Sequence, residues 1–375
     1  MRKAIFKREI ESCFKNFGIL DGQQIDVLKI LFENPIDVTK QYLLKKEMST
    51  IDDVAKCLKG VVNKDDFIAD VRSLFEVSDD LELPDSLREQ LARKQAIAIF
   101  IGAGVSKILN VPLWGDLASK AIDYLYEINR ITFSEADKIK MESVSPKQKM
   151  SIFHDILPKA EAKEFYERHF IPDKKFLNRN PYDILVKLDV PKFTSNLDHE
   201  FWNALAREKS KDEKTRPVQV VSGFNDDISI VTNAIYQIHG SYQQLDSYSI
   251  VTMRDYLMHY FQDPCLRNFL KSIFNKYVVI FIGYGMEEFE ILQDLVKSDK
   301  GHHVLVSTYL SDSNLLRVRK EYFRKTLGMN AHGYYLDFNG YDRLYEVIDS
   351  WIKKIAFEVK GDFYQKTGEY GDVEL

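Results

Sequence analysis

The hydrophobic pattern of this 375-residue chain changes character near residue 93. Before that point apolar residues recur at helical spacing, as in Phe6, Ile10 and Phe14. Residues 1–92 show neither the pattern of a strand nor a chemical motif. We therefore interpret residues 1–92 as a helical region that serves packing or assembly.

From residue 96 onward, short apolar runs alternate with amphipathic stretches. The runs predict strands at 96–101, 191–195, 218–221, 234–238, 277–282, 303–309 and 333–337. The amphipathic stretches predict helices at 115–129, 198–207, 286–297, 312–327 and 341–357. Such alternation is typical of an α/β, Rossmann-like fold, with a mostly parallel sheet and helices on both faces. We predict a catalytic domain over 93–360 that contains a small helical insert at 130–190, followed by a polar tail at 361–375.

Glycines and polar residues follow four of the predicted strands, and in such sheets ligands bind beyond the carboxyl ends of the strands. The first of these segments is Gly102-Ala-Gly-Val-Ser106. Gly102 and Gly104 have no Cβ where a diphosphate would approach the backbone, and Ser106 adds a hydroxyl donor. A dehydrogenase fingerprint would need glycine at Lys107 and an acidic residue closing a second strand, so we do not expect hydride transfer.

The second segment runs from Thr194 to Asp198, at the end of the strand 191–195. Asp198 stands where a helix N-cap is expected, but capping explains Asn196 less well because Asn196 lies two residues earlier. The third segment places His239 and Gly240 at the end of the strand 234–238. A single histidine at a strand end is more often structural than catalytic. An imidazole with the usual pKa near 6.5 would nevertheless suit a general base near neutral pH.

The fourth segment, Gly283-Tyr284-Gly285, is a second glycine turn after an apolar strand. Taken alone it is an ordinary tight turn, whereas together with the first segment it could form another wall of a dinucleotide site. Pro112 and Trp114 follow the first segment in a short loop. Trp114 fits equally well as a ligand cover and as a core side chain.

Composition narrows the setting of the protein. The net charge of −5 gives no general support for nucleic-acid binding. The three cysteines lie far apart, which excludes a four-cysteine zinc site, and we expect no metal. No apolar run approaches the ~20 residues of a membrane span. We expect a reduced, cytoplasmic setting without membrane contact.

In this order, the four segments and the Pro112/Trp114 loop resemble the sirtuin-like family over residues 96–340. The resemblance implies that the first segment holds the NAD+ diphosphate and that Asn196 and His239 are the catalytic pair. It assigns Asp198 to the nicotinamide pocket. The full set of NAD+-binding residues that it implies is Gly102, Ala103, Gly104, Ser106, Pro112, Trp114, Thr194, Asp198, Gly283, Tyr284 and Gly285. The family's adenosine-side turn carries a hydroxyl residue that is absent after Gly283 here.

The chain departs from protein-deacetylase sirtuins because it lacks their two CxxC pairs and carries a long helical N-terminus. Both traits resemble the bacterial antiphage branch, whose members hydrolyse NAD+, and the layout resembles the subunit that assembles with a HerA-type ATPase. The resemblance implies an NAD+ hydrolase that forms a homo-oligomer and is regulated by such a partner.

Two other functions remain open from the sequence. One is NAD-dependent ADP-ribosyl transfer or deacylation. The other is sensing of NAD+ or ADP-ribose within a larger nuclease–ATPase complex, where nucleic acid would be contacted only through a partner.

Overall fold

A computed structural model of the chain describes residues 80–142, 144–209, 220–224, 229–231, 234–309, 313–336 and 340–367. Most of the predicted N-terminal helical region, residues 1–79, and the end of the predicted tail, residues 368–375, lie outside these ranges. Domain boundaries at 92 and 360 therefore stay predictions.

Seven strands form one sheet with the order β3-β4-β2-β1-β5-β6-β7. They are Ile97–Ile101 (β1), Lys192–Thr194 (β2), Val220–Ser222 (β3), Ile235–Gln237 (β4), Val278–Ile282 (β5), His303–Thr308 (β6) and Asn330–Tyr335 (β7). Neighbours from β3 through β6 pair in parallel. The predicted mostly parallel, Rossmann-like sheet is thus confirmed, although β7 begins three residues earlier than the predicted strand at 333.

The central strands are covered on both faces. Every residue of β1 and β5 is buried, and successive side chains of a strand point to opposite faces of the sheet. Phe100 of β1 stacks on Phe281 of β5 with ring centroids 5.0 Å apart. Burial of this kind explains why both strands are continuous apolar runs in the sequence.

Helices surround this sheet along the described chain. They are Asp85–Ala92 (α1), Ala103–Lys107 (α2), Trp114–Glu127 (α3), Phe133–Met141 (α4), Pro146–Ile156 (α5), Lys163–Phe170 (α6), Pro181–Leu185 (α7), Glu200–Lys209 (α8), Met253–Leu257 (α9), Pro264–Lys276 (α10), Phe289–Leu295 (α11), Ser313–Leu327 (α12) and Asp342–Thr367 (α13). A π-helical turn, Met258–Gln262, joins α9 to α10.

The helices depart from the sequence prediction in several places. The short helices α2 and α9 were not predicted. Helix α10 was not predicted either, although its buried residues Leu266, Phe269 and Ile273 recur at helical spacing and Asp263 caps its first turn. Helix α13 ends at Thr367 instead of 357 and enters the segment predicted as a polar tail. Only Gly361 disfavours a helix in that extension, which explains its continuation.

By internal contacts the chain divides into two units. One includes, among the described residues, 80–82, 307–309, 313–319, 333–336 and 340–343, and in it the buried Arg343 Nε donates to Asp80 Oδ2 at 3.1 Å. The other includes residues 83–306, which contain all the candidate site residues. No helix in the described ranges combines the length and apolar character that a bilayer crossing requires.

Candidate active site

The sheet brings the four predicted segments to one edge. Strand β1 lies between β2 and β5, and β2 also pairs with β4. The last residues of these strands are in register, with Ile101 opposite both Thr194 and Ile282, and Thr194 opposite Gln237. Because all four strands are parallel, the segments that follow them emerge side by side.

The two glycine turns pack directly against each other. A Cβ on Gly104 would lie 2.8 Å from the carbonyl oxygen of Gly283, and a Cβ on Gly102 would lie 2.6 Å from the same atom. Gly283 has φ of +62°, and a Cβ there would meet the Val105 nitrogen at 2.5 Å. The sequence analysis explained these glycines by the approach of a diphosphate. The structure gives a packing reason for them, and phosphate binding stays a prediction.

Ser106 lies at the centre of a buried hydrogen-bond network. Its Oγ donates to Asp198 Oδ2 at 2.6 Å and lies 2.6 Å from the Tyr182 hydroxyl. The Asn196 Nδ2 lies 3.0 Å from both Ser106 Oγ and the Tyr182 hydroxyl, and it donates to the Gly102 carbonyl at 3.1 Å. We call Ser106, Tyr182, Asn196 and Asp198 the asparagine cluster. The sequence analysis missed Tyr182, which lies in the helical insert.

The orientation of the Asn196 amide is fixed by the Gly102 carbonyl. A carbonyl only accepts hydrogen bonds, so the amide nitrogen must face it. No described residue donates to Asn196 Oδ1, which leaves this oxygen as the atom that can accept a hydrogen bond from a ligand. Thr194 braces the turn, since its Oγ1 donates to the Ile101 carbonyl and accepts from the Asn196 backbone, both at 3.0 Å.

Asp198 contacts the start of helix α8 and also joins the asparagine cluster, while its place in a nicotinamide pocket stays a prediction. Its Oδ1 accepts from the Glu200 backbone N–H at 3.1 Å, where α8 begins, and its Oδ2 accepts from Ser106. Burial raises the pKa of the Asp198 carboxyl to about 6, while the hydrogen bonds from Ser106 and Glu200 oppose that rise. The carboxyl is therefore ionised at pH 7 but gains a proton under mild acidity.

His239 is 3% exposed and has neighbours on both ring nitrogens. Its Nε2 lies 2.9 Å from the Tyr260 hydroxyl, and the Ser195 backbone lies on the side that favours a proton on the ring. Desolvation lowers the pKa of His239 to about 3, with the Lys147 charge adding to the effect. The expectation of an ordinary pKa near 6.5 was wrong, because the sequence does not show how deeply the ring is buried.

Gly240 is required by the turn that follows His239. It has φ of +76°, and a Cβ there would lie 2.2 Å from the Tyr248 carbonyl oxygen. The backbone of Gly240 forms an antiparallel bridge with Ser249. This return of the chain starts the segment that leads to Tyr256 and Tyr260, whose rings flank the imidazole edge-on at centroid distances of 5.3 Å and 6.1 Å.

A carboxylate that follows the fourth segment along the chain lies near the same histidine. Glu288 Oε2 lies 3.6 Å from His239 Nε2. Burial raises the pKa of Glu288 to about 7, against the opposing charge of Lys147. We call His239, Tyr256, Tyr260 and Glu288 the histidine cluster. The sequence analysis missed its last three members, and the Glu-Glu-Phe-Glu stretch after Gly285 was the signal that could have drawn attention to Glu288.

Lys147, on helix α5, brings a positive charge to the histidine cluster. Its Nζ lies 2.7 Å from Glu290 Oε1 and 3.8 Å from the centre of the Tyr256 ring. The helical insert thus contributes to the site although it carries none of the four segments. No short-range pattern predicts this contact, since Lys147 and Glu290 are 143 positions apart.

The remaining predicted ligand residues line the same edge with less specific contacts. Trp114 begins α3, and its buried Nε1 has no hydrogen-bond partner among the described residues. Pro112 is partly buried. Tyr284 packs on Phe100 at 5.0 Å, and Gly285 is exposed. Ala103 is the first residue of α2. Their contacts with NAD+ stay predictions.

Within the described part of the chain, no group of three histidine, cysteine, aspartate or glutamate side chains is placed to hold a metal ion. Cys265 lies in the first turn of α10 and is partly buried.

Comparison with known proteins places residues 192–332 in a match to the SIR2-like domain. This range begins with β2, ends within β7 and includes Asn196, His239 and Gly283, but not the first glycine segment. Defense-associated sirtuin 2 of Bacillus subtilis is 23% identical over 209 residues, which cover 53% of this chain and 19% of that protein. The chain therefore matches about a fifth of the length of this curated relative.

Proposed function

We propose that this chain, which carries the sirtuin-like domain that its motifs predicted, hydrolyses NAD+ to ADP-ribose and nicotinamide. SIR2-like domains use NAD+, which sets the substrate class. The observation that carries the proposal is the convergence of Asn196 and His239, both buried, just beyond the ends of the neighbouring strands β2 and β4.

The chemistry makes limited demands on the protein. The nicotinamide of NAD+ leaves as a neutral molecule and needs no general acid. The site must stabilise positive charge that develops on the ribose, aim a water molecule and remove its proton. A buried acceptor and a buried neutral base meet these demands.

Asn196 supplies the acceptor. Its Nδ2 is held by the Gly102 carbonyl and by two hydroxyls, so the Oδ1 points away from these contacts in a fixed orientation. This oxygen would accept a hydrogen bond from a ribose hydroxyl or from the attacking water. Because the Nδ2 is already engaged in these hydrogen bonds, the geometry supports acceptance alone.

His239 supplies the base. Its low pKa keeps the imidazole neutral throughout the physiological range, with a lone pair for a proton. We assign the proton of the neutral imidazole to Nδ1, because Nε2 faces the Tyr260 hydroxyl and Glu288. The proton from water would therefore enter at Nε2, and Tyr260 would turn its hydroxyl away as it does so.

The biological role that we propose is antiphage defence. The support is the similarity to Defense-associated sirtuin 2, together with the motif pattern. Unregulated NAD+ hydrolysis would harm the cell that makes the protein, so we propose control through homo-oligomer formation and assembly with a HerA-type ATPase. Light scattering of the full chain, alone and with a co-encoded ATPase, tests this assembly, and a monomeric mass in both samples would contradict it.

The activity is tested by incubating the purified protein with NAD+ and separating the products by chromatography. Free ADP-ribose and nicotinamide, formed without any peptide, would support hydrolysis. Cleavage that requires an acylated peptide would indicate deacylation, and ADP-ribose attached to protein would indicate transfer. Binding of NAD+ without turnover, alone and with the ATPase, would favour a sensing role.

An Asn196→Ala variant makes this test specific to the site. We expect a larger fall in kcat than rise in KM, because the lost oxygen acts on the reacting ribose or water. A change in KM alone would assign Asn196 to binding instead of chemistry.

A further inference from the structure

Glu288 is the residue of the histidine cluster that the proposed chemistry does not yet use. Its side chain is 22% exposed, but its Oε2 is buried and has no hydrogen-bond partner among the described residues. That same oxygen is the one 3.6 Å from His239 Nε2. A buried carboxylate oxygen without a hydrogen bond is unfavourable, so its position requires an explanation.

The nearby cation does not provide that explanation. Lys147 Nζ binds Glu290 Oε1 at 2.7 Å and rests on the Tyr256 ring. Lys147 is thus paired with Glu290, the next acidic residue after Glu288. Glu288 is left facing the imidazole.

Several groups set the charge state of this carboxylate. Lys147, from α5, and the Tyr284 hydroxyl, from the turn after β5, both lower its pKa. Glu287 and Glu290, from its own segment, raise it. Tyr256 and Tyr260 also face the carboxylate; burial raises the pKa of each hydroxyl, and the charge of Glu288 adds to the rise.

His239 has a separate set of charged neighbours. Lys147 and His259 both disfavour its protonation. Glu288 is the carboxylate that lies within 4 Å of its ring nitrogen. An imidazole in this setting can hold a proton during turnover only with a compensating negative charge close by.

We propose, on the basis of the proposed NAD+ hydrolysis, that Glu288 is a positioning residue that pairs with the imidazolium of His239 while His239 carries the proton taken from water. The oxygen of that water forms a bond to C1′ of the ribose as the bond from C1′ to the nicotinamide nitrogen breaks. The electron pair of the broken bond stays with nicotinamide, which becomes neutral. The proton passes to Nε2 opposite Glu288, moves on to this carboxylate, which is the stronger base of the two, and leaves to solvent after the products.

The pairing predicts a pH dependence. Only the ionised form of Glu288 can stabilise the imidazolium, and burial raises the pKa of Glu288 to about 7. Activity should therefore rise as the pH increases through about 7 and level off above it.

The test compares Glu288→Gln with Glu287→Gln, which changes the exposed neighbouring carboxylate in the same segment. We expect kcat of Glu288→Gln to fall about tenfold to a hundredfold, part of the effect typical of general-base catalysis, with KM within about twofold of wild type. The rise near pH 7 should disappear in Glu288→Gln and persist in Glu287→Gln. A Glu288→Gln protein that keeps both wild-type kcat and the rise near pH 7 would overturn the proposal.

A second measurement does not depend on NAD+ cleavage. In ¹⁵N-labelled protein without ligand, the His239 Nε2 resonance, identified by its loss in His239→Gln, should shift in one step near pH 7 as Glu288 ionises. The step should remain in Glu287→Gln and vanish in Glu288→Gln. A step that persists in Glu288→Gln, or its absence in wild type, would overturn the pairing. If wild type shows the step but does not cleave NAD+, the proposed function fails while the pairing stands.

Discussion

The asparagine cluster and the histidine cluster lie at the same edge of the sheet but differ in how far their polar groups are paired. In the asparagine cluster, Ser106, Tyr182 and Asp198 each have a close hydrogen-bond partner within the cluster. In the histidine cluster, Glu288 Oε2 and the neighbouring Tyr284 hydroxyl are buried without one in the described chain.

The difference indicates a division of tasks between the two clusters. A closely paired buried network holds its members in one arrangement, because other arrangements would leave more polar groups unpaired. An incompletely paired cluster with shifted pKa values can change its protonation state at lower cost. We infer that the first cluster orients a ligand and the second moves a proton.

Replacing His239 gives the largest expected effect and tests the inference that the histidine cluster moves a proton. His239→Ala should reduce NAD+ turnover about 10²–10⁴-fold, the range typical for a general base. We expect the fold to stay intact, because His239 lies just beyond strand β4. Its neighbours Tyr256 and Tyr260 are held by α9 and by the π-helical turn. Turnover by product chromatography and folding by circular dichroism provide the check. A well-folded variant with wild-type turnover would refute the assignment.

Replacing Gly283 should disturb both clusters together, because its turn packs on the segment that carries Ser106 and leads to Glu288. Gly283→Ala places a Cβ 2.5 Å from the Val105 nitrogen at φ of +62°. Left-handed strain and overpacking together predict a loss of about 2–4 kcal/mol in the free energy of unfolding. Urea denaturation measures the loss. Gly285→Ala is the control, since Gly285 is exposed and a Cβ there meets only the Glu287 side chain, at 3.8 Å.

Asp198 and His239 should respond to acid with opposite signs. The folded pKa of Asp198 is raised from 3.8 to about 6, so its contribution to stability is present below pH 3.8 and is lost as the pH rises through 6. The folded pKa of His239 is lowered from 6.5 to about 3, so its contribution is present above pH 6.5 and is lost as the pH falls toward 3.

Asp198→Asn isolates the first of these contributions. Between pH 4 and 7, the unfolding free energy of wild type relative to Asp198→Asn should fall by up to about 3 kcal/mol, from a shift of roughly two pKa units. Urea denaturation at a series of pH values measures both curves. Parallel curves for the two proteins would show that the Asp198 pKa is not raised in the fold.

Two matched tyrosine substitutions have the smallest expected effects and compare the hydrogen bonding of the two clusters. Tyr182→Phe removes a hydroxyl that lies 2.6 Å from Ser106 and 3.0 Å from Asn196, so we expect a loss of about 1–3 kcal/mol in stability. Tyr260→Phe removes one contact to His239 Nε2, and about 1 kcal/mol is expected. Thermal or urea unfolding of both variants ranks them. An equal or reversed ranking would contradict the view that the asparagine cluster is the more completely paired of the two.

The sequence was sufficient for the sheet and for the order of the site segments. Fully buried parallel strands require continuous apolar runs, so β1 and β5 were visible without a structure. The residues directly after neighbouring parallel strands must meet at one edge of the sheet, so the sequence alone predicts that Asn196 and His239 lie together. Helix α10 was not predicted, although its apolar spacing and its Asp263 cap are present in the sequence.

Only the tertiary structure decided which residues surround Asn196 and His239. Tyr182 contacts Ser106 across 76 positions, and Lys147 contacts Glu290 across 143, distances at which local periodicity carries no information. The pKa of His239 depends on the depth at which the ring is buried, and that depth is set by chain segments that pack over it. The sequence by itself therefore determined which residues reach the edge of the sheet, because strand geometry is local. Their partners and protonation states were decided only by the folded chain, because packing and desolvation are not local.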